Sequence, residues 1–150
     1  MAKRRRRRAA LDGPHLSVAV LCEKVLQEKD AVLSLIRIVD RFTVTISGPT
    51  PPEEMPTVPI SLTLVLSFKA GFARGTFVVS VRGEKPSGEL TPETKIPVLF
   101  EGDERGPNLM IAVNLQANEE GLYWFDVFLE GARVTRVPLR LIYQRVTQTS

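Results

Sequence analysis

Apolar and polar side chains alternate with a period of two over most of the chain. The clearest example runs from Ile60 to Phe68, where Ser61, Thr63 and Ser67 separate apolar residues. The same alternation recurs in four further segments, 76–82, 109–116, 123–130 and 136–143. Because successive side chains on a strand point to opposite faces of a sheet, this period predicts half-buried β-strands.

Three other segments have a weaker extended pattern, residues 16–22, 32–46 and 95–101. The second is expected to be broken or bulged near Asp40 and Arg41, and the polar residues 23–30 fit one helical turn or a loop. About eight strands without a long helix predict an all-β, two-layer antiparallel β-sandwich. We expect a single domain over residues 15–147, preceded by a leader at 1–14 and followed by a short tail at 148–150.

The segment Gly121–Phe125 resembles the tyrosine corner of immunoglobulin-like sandwiches. Tyr123 stands two residues before Phe125, which takes the position of a disulfide cysteine in antibodies. The resemblance implies that the Tyr123 hydroxyl bonds backbone across the corner and that packing of Phe125 replaces the bridge. Gly131 is expected to supply the turn of the closing hairpin at 130–132, because glycine adopts positive φ. We therefore expect Tyr123, Phe125 and Gly131 to have structural roles.

Four short segments carry a second resemblance: Val20–Glu23, Leu33–Ile36 with Asp40 and Arg41, Gly121–Phe125, and Thr135–Leu139. Through them the chain, from Leu16 onward, resembles a family of small bacterial proteins known only as a domain of unknown function. The resemblance implies a sandwich fold and brings no activity with it. The leader is not part of it.

The net charge of +3 is unevenly distributed along the chain. Six positive charges form one run, Lys3, Arg4, Arg5, Arg6, Arg7 and Arg8; without them 14 Lys and Arg face 17 Asp and Glu, a net charge of −3. The composition of the leader predicts a disordered, solvated arm. This arm is either only solubilising or makes weak, nonspecific contact with nucleic acid or an anionic surface.

Two long connections are the candidate partner surface. Residues 47–59 contain five prolines, and residues 83–94 contain Pro86, Gly88 and Pro92. If neighbouring strands alternate in direction, both connections leave the same end of the sandwich, where loops on a rigid scaffold commonly bind partners. The alternative is that they are tolerated insertions. The candidate contact residues are Pro51, Pro52, Glu53, Glu54 and Met55.

Little in the sequence supports catalysis or a cofactor. The adjacent acid pairs are expected to be solvated turn residues; they are Glu53 with Glu54, Asp103 with Glu104, and Glu119 with Glu120. Asp126 lies in mid-strand and is expected to pair with Arg136 or Arg140 on the next strand. No glycine-rich phosphate loop is present. We therefore expect a non-catalytic binding or structural accessory protein without a cofactor.

The single histidine and the single cysteine argue against a metal site. His15 is expected to be an exposed residue at the start of a strand, and one cysteine forms neither an intrachain disulfide nor a zinc cluster. Cys22 is expected to be a small buried apolar residue, with a reactive thiol as the alternative.

Trp124, Phe128 and Phe42 are expected to be core residues rather than an exposed aromatic platform. Pro138 implies that the last strand is an edge or is bulged at that point.

No apolar run is long enough to span a bilayer and no export signal is recognisable, so we expect a cytoplasmic protein. A protein partner is possible, and the sequence does not fix the oligomeric state.

Overall fold

Nine β-strands form two packed sheets in the computed structural model, which describes residues 13–148. In chain order the strands are β1 (His15–Gln27), β2 (Leu33–Val39), β3 (Arg41–Gly48), β4 (Val58–Lys69), β5 (Gly71–Glu84), β6 (Thr94–Asp103), β7 (Asn108–Ala117), β8 (Gly121–Leu129) and β9 (Ala132–Thr147). The prediction of an all-β sandwich is confirmed.

The strand order is immunoglobulin-like. One sheet has the order β2-β1-β4-β7 and the other the order β3-β9-β8-β5-β6. In immunoglobulin terms β1, β4 and β7 correspond to strands A, B and E, while β5, β8 and β9 correspond to C, F and G. Neighbouring strands are antiparallel except β3 and β9, which run parallel from the Arg41–Arg140 pair to the Gly48–Thr147 pair.

The ninth strand arises at Asp40, where the sequence predicted a break. Before Asp40, β2 pairs with β1 in the four-stranded sheet; after it, β3 pairs with β9 in the five-stranded sheet. The Arg140 N–H donates to the Asp40 carbonyl at 2.8 Å and fixes the crossing point. The prediction of a helical turn or a loop at residues 23–30 is wrong for residues 23–27, because β1 continues to Gln27; a turn at 28–32 then leads into β2.

Pro138 lies in a strand that is interior to its sheet, which the sequence did not predict. β9 runs between β3 and β8, but its pairing with β3 begins only at Arg140. Because the Arg140 N–H points towards β3, the backbone of Pro138, two residues earlier, points to the same side, where it has no paired strand. The missing N–H of proline therefore costs no ladder hydrogen bond.

The core lies between the two sheets and is formed by the inward side chains that the alternation predicted. Leu64 and Leu66 from β4 and Leu139 from β9 are fully buried. Phe68 and Phe100 pack edge to face across the sheets, with ring centroids 6.0 Å apart. Each such side chain contributes about 1.5–3 kcal/mol by leaving water.

The closing hairpin between β8 and β9 forms as the sequence predicted. Leu129 pairs with Ala132, and the two residues between them have positive φ, 49° at Glu130 and 79° at Gly131. A two-residue turn with both φ values positive matches the twist of the flanking strands. The Glu130 side chain also accepts from the Val78 N–H at 2.6 Å, which ties the hairpin to β5.

Candidate functional site

Both long connections emerge at one end of the sandwich, as the alternation of strand direction predicted. The end of β3, the start of β4, the end of β5 and the start of β6 meet there, because Val58 pairs with Ala117 and Val81 pairs with Thr94. We call this the loop end and define it by residues 28–32, 49–57, 85–93 and 118–120. The opposite end of the sandwich, with residues 103–107 and 130–131, is the far end.

Tyr143 of β9 holds the first connection against the body of the domain. Its hydroxyl donates to the Pro52 carbonyl at 2.7 Å, and its backbone N–H donates to Oε1 of Glu120 at 2.9 Å. Met55, one of the predicted contact residues, is only 9% exposed and packs in the core. The connection is therefore anchored at Pro52 and Met55. Glu53 and Glu54, between the two anchors, are exposed, as is the Pro52 ring, whereas Pro51 is half-buried.

The second connection is a small hairpin that extends β5. Gly83 N–H donates to the Thr91 hydroxyl at 2.8 Å, and Thr91 N–H donates back to the Gly83 carbonyl at 2.9 Å. Lys85 N–H donates to the Glu89 carbonyl at 2.8 Å, and their side chains form an ion pair at 3.5 Å. These bonds give the 83–94 connection an ordered conformation.

The tyrosine corner lies between the two connections. The Tyr123 hydroxyl donates to the Glu119 carbonyl at 2.8 Å and its ring is buried, which is the geometry that the corner resemblance implied. Burial, opposed by this hydrogen bond and assisted by the nearby Glu119 carboxylate, raises the pKa of Tyr123. A Cβ placed at Gly121 would lie 3.1 Å from Cβ of Pro86, so the second connection packs closely on the corner.

The loop end is acidic and contains an open cleft of about 490 Å³. The polar residues that line the cleft are Glu53, Glu54, Thr57, Asn118 and Glu120. In the loop end, Lys29 and Lys85 are the basic residues, against the carboxylates of Glu28, Asp30, Glu53, Glu54, Glu89, Glu93, Glu119 and Glu120. Such a surface favours a positively charged ligand.

A second polar cluster, which sequence reasoning found only in part, lies on the outer face of the five-stranded sheet. Nε of Arg136 donates to Asp126 at 2.6 Å, as predicted, and a terminal nitrogen of Arg136 donates to Glu84 at 2.6 Å. The Arg136 guanidinium also lies over the Trp124 ring, 4.7 Å from its centroid. The hydrogen bond to Asp126, followed by the charges of both acids, raises the pKa of Arg136.

Trp124 and Phe128 are outward-facing residues of this sheet, so the prediction that they belong to the core is wrong. They are half-buried because arginine side chains cover them: Arg136 covers Trp124, and Arg82 lies 5.3 Å from the centroid of Phe128. Phe42 packs against the core, as expected. The three rings therefore form no common platform.

Lys3, Arg4, Arg5, Arg6, Arg7 and Arg8 lie outside the described residues. His15 is exposed at the start of β1, and Cys22 is fully buried, with its pKa raised by that burial; both expectations are confirmed. Phe125 is buried in the core, as the corner resemblance implied.

Two of the three acid pairs come together at the cleft of the loop end, and the third does not. Glu53 with Glu54 and Glu119 with Glu120 are at the loop end, whereas Asp103 and Glu104 follow β6 at the far end. Within residues 13–148, no three His, Cys, Asp or Glu side chains are arranged to hold a metal ion. Within the same range, no helix is long and apolar enough to cross a membrane.

The chain matches no family model and no curated protein. The resemblance to a bacterial domain of unknown function therefore stays a prediction, while the sandwich fold that it implied is present. Among solved structures, the CARDB domain of a Pyrococcus furiosus protein in complex with di-metal ions is similar, with 10% identity, a TM-score of 0.43, and coverage of 89% of this chain and 97% of that one.

A Pseudomonas fluorescens structure is also similar, the alkylpurine DNA glycosylase AlkC bound to DNA containing an abasic site analog. The identity is 15%, the TM-score is 0.39, and the alignment covers 65% of this chain. The chain spans about a quarter of that protein, 27% of its length. With TM-scores below 0.5, neither likeness bears on what this chain binds.

Proposed function

We propose that this chain is a non-catalytic protein-binding module whose loop end binds a positively charged segment of a partner protein. The observation that carries the proposal is the convergence of the connections 47–59 and 83–94 at the loop end, where Glu53, Glu54 and Glu120 line one cleft and Glu89 and Glu93 are exposed. Opposite charge on the partner raises the rate of association and selects among partners.

The ordered state of both connections supports binding rather than tolerated insertion. Tyr143 and Met55 fix the first connection, and the bonds between Gly83 and Thr91 fix the second. A tolerated insertion has no need of such anchors, whereas a preformed surface loses less conformational entropy when a partner docks.

A charge-reversal pair tests the proposal. We compare the Glu53→Lys/Glu54→Lys variant with a control, Glu101→Lys/Glu104→Lys, which changes the net charge equally at the far end. The probe is a fluorescein-labelled peptide of alternating lysine and serine, followed by anisotropy at low and physiological salt. We expect the loop-end variant to bind about tenfold more weakly, equivalent to about 1.4 kcal/mol, and the control to bind within about twofold of the parent. Equal weakening in both variants would contradict the proposal.

The second candidate function is a nonspecific tether to nucleic acid through Lys3–Arg8. The observation that favours it is the separation of charge, since all of the positive excess lies in the leader and the rest of the chain carries −3. Full neutralisation of six phosphates predicts a slope of log K against log salt of about −5 on duplex DNA. Removal of residues 1–10 is expected to abolish binding to a labelled duplex. Binding that survives the truncation would place the contact on the folded domain instead.

A further inference from the structure

Strand β7 is an edge strand that lacks the usual protection of sheet edges. It is the last strand of the four-stranded sheet and pairs only with β4 among the described residues. Its ten residues, Asn108–Ala117, include no charged residue and no proline, and their register with β4 is uninterrupted. Exposed edges of this kind are templates for a further strand.

The other sheet edges are protected. On β2, Arg37 places a charge on the edge strand and has a positive φ of 56°. On β6, Pro97 removes a donor, and Lys95, Glu101 and Asp103 place charges along the edge. The edge of β3 begins with Arg41 and is followed directly by Pro49. These are the devices by which native proteins discourage edge pairing. Pro107 directly precedes β7, but the ten residues of β7 contain no charge, no proline and no break in register.

The hydrogen-bond pattern shows which backbone groups of β7 are available. Phe68 N–H donates to the Pro107 carbonyl at 3.1 Å and Ala70 N–H to the Arg105 carbonyl at 2.9 Å. Since bonded pairs alternate along an antiparallel ladder, the odd-numbered residues of β7 bond to β4 and the even-numbered ones point away. The outward groups belong to Asn108, Met110, Ala112, Asn114 and Gln116, all of which are exposed.

Pro59 supports this assignment independently. It pairs with Gln116 in the register of β4 and β7, and the alternation makes this pair non-bonded. A proline, which has no N–H to donate, fits at such a position of the ladder.

We propose that β7 pairs antiparallel with β7 of a second copy of this chain, so that the two four-stranded sheets form one continuous sheet. The five outward residues are centred on Ala112, and in a register centred there each residue faces an outward residue of the other copy: Asn108 faces Gln116, Met110 faces Asn114, and Ala112 faces itself. Every outward N–H and C=O then has a partner. The pairing is isologous and closed, as in most homodimers.

Charge selects a second copy over an unrelated strand. No like charges meet along the pairing, because β7 contains no charged residue. Arg105 precedes β7 in the chain, and Glu119 and Glu120 follow it. In the antiparallel pairing, Arg105 of one copy therefore lies near Glu119 and Glu120 of the other copy. Arg105 and Glu120 are exposed, and Arg105 makes no ion pair with a described residue. Antiparallel pairing thus brings opposite charges together twice by symmetry.

The oligomeric state of the full chain tests the proposal. We expect light scattering after size exclusion to show a concentration-dependent dimer between about 1 µM and about 1 mM. The Ala112→Lys variant, which places two lysines face to face at the centre of the pairing, is expected to remain monomeric. The control, Thr43→Lys on the exposed edge of β3, is expected to dimerise like the parent. A parent that is monomeric throughout, or an Ala112→Lys dimer, would overturn the proposal.

Cysteine cross-linking tests the register. In the centred register the two Cα atoms of residue 112 are about 5.5 Å apart, within the range of a disulfide. Those of residue 114 are about 14 Å apart, from the rise per residue of a strand. Under mild oxidation Ala112→Cys is therefore expected to cross-link and Asn114→Cys is not; Cys22 is buried and does not compete. Cross-linking of Asn114→Cys in preference would refute this pairing.

Discussion

Tyr143 and Pro52 join the last strand to a connection 91 residues earlier in the chain, through a hydroxyl-to-carbonyl hydrogen bond of 2.7 Å. The bond holds the most proline-rich segment of the molecule against the tyrosine corner. Because Tyr143 also donates its N–H to Glu120, one residue links two of the segments that form the acidic loop end.

We expect Tyr143→Phe to loosen the 47–59 connection with little effect on global stability. The loss of one exposed hydrogen bond costs about 1 kcal/mol. Hydrogen exchange should therefore quicken at residues 49–57 and stay unchanged in β4 and β8. Thr45→Val, which removes an exposed side-chain bond to Gln144 from β3, is the control. Unchanged exchange in the connection would show that the Pro52 contact does not restrain it.

Tyr123→Phe is expected to reduce the free energy of unfolding by about 1 kcal/mol near neutral pH, since it removes the hydrogen bond across the corner. The pKa of Tyr123 is raised above 10.0 by burial, so the folded state favours the neutral phenol. This contribution is present below the unfolded pKa and is lost as pH rises through the folded value.

Urea denaturation at about pH 8 and about pH 11 measures this loss. The parent protein should lose more stability between the two pH values than Tyr123→Phe does. Equal losses in both proteins would show that Tyr123 does not contribute to alkaline destabilisation.

Arg136→Met is expected to lower the free energy of unfolding by more than Glu84→Gln does. Asp126 is 2% exposed, and without Arg136 its carboxylate stays buried without its ion-pair partner. Glu84→Gln is the matched comparison: it weakens the other ion pair of Arg136, but the Glu84 side chain is 32% exposed, so we expect a cost below about 1 kcal/mol. Denaturation of both variants at one pH gives the two values. A similar cost for both would mean that burial of Asp126 is not what makes the cluster important.

Gly106→Ala is expected to cost about 3 kcal/mol or more. A Cβ at Gly106 would lie within van der Waals overlap of the Phe68 carbonyl oxygen, so backbone of the core strand β4 must shift. At Gly131 a Cβ meets nothing within 4 Å, and Gly131→Asn supplies a residue that tolerates positive φ. We expect the second variant to be nearly neutral in thermal unfolding. A mild effect of Gly106→Ala would indicate that the 103–107 turn moves without disturbing β4.

The period-two alternation predicted most of the sheet structure, because side-chain direction on a strand is a local property. The alternation of Ile60–Phe68 gives β4, and the polar break at Asp40 marks the end of β2. Which sheet a strand joins is not local: nothing near Asp40 predicts that β3 pairs with β9, a hundred residues away. The same applies to Trp124 and Phe128, because their covering arginines come from other strands.

The candidate site was predicted in outline and not in its contacts. Strand alternation placed both connections at one end, and the proline content marked the first of them. Met55 was predicted as a contact residue but is buried. The sequence does not distinguish an apolar residue that contacts a partner from one that anchors a loop in the core. Tyr143 was missed as an anchor; its signal was an inward tyrosine two residues beyond Leu141, near the end of the last strand.

The opposed positions of Gly13 and Thr147 have a mechanical consequence. β1 begins at the far end and β9 finishes at the loop end, so a tension applied between these two residues pulls each terminal strand along its own axis. The ladder bonds that flank β1 and β9 lie across that axis and share the load together rather than opening one after another. A domain that is pulled between these two residues should therefore resist mechanical unfolding better than its modest size suggests.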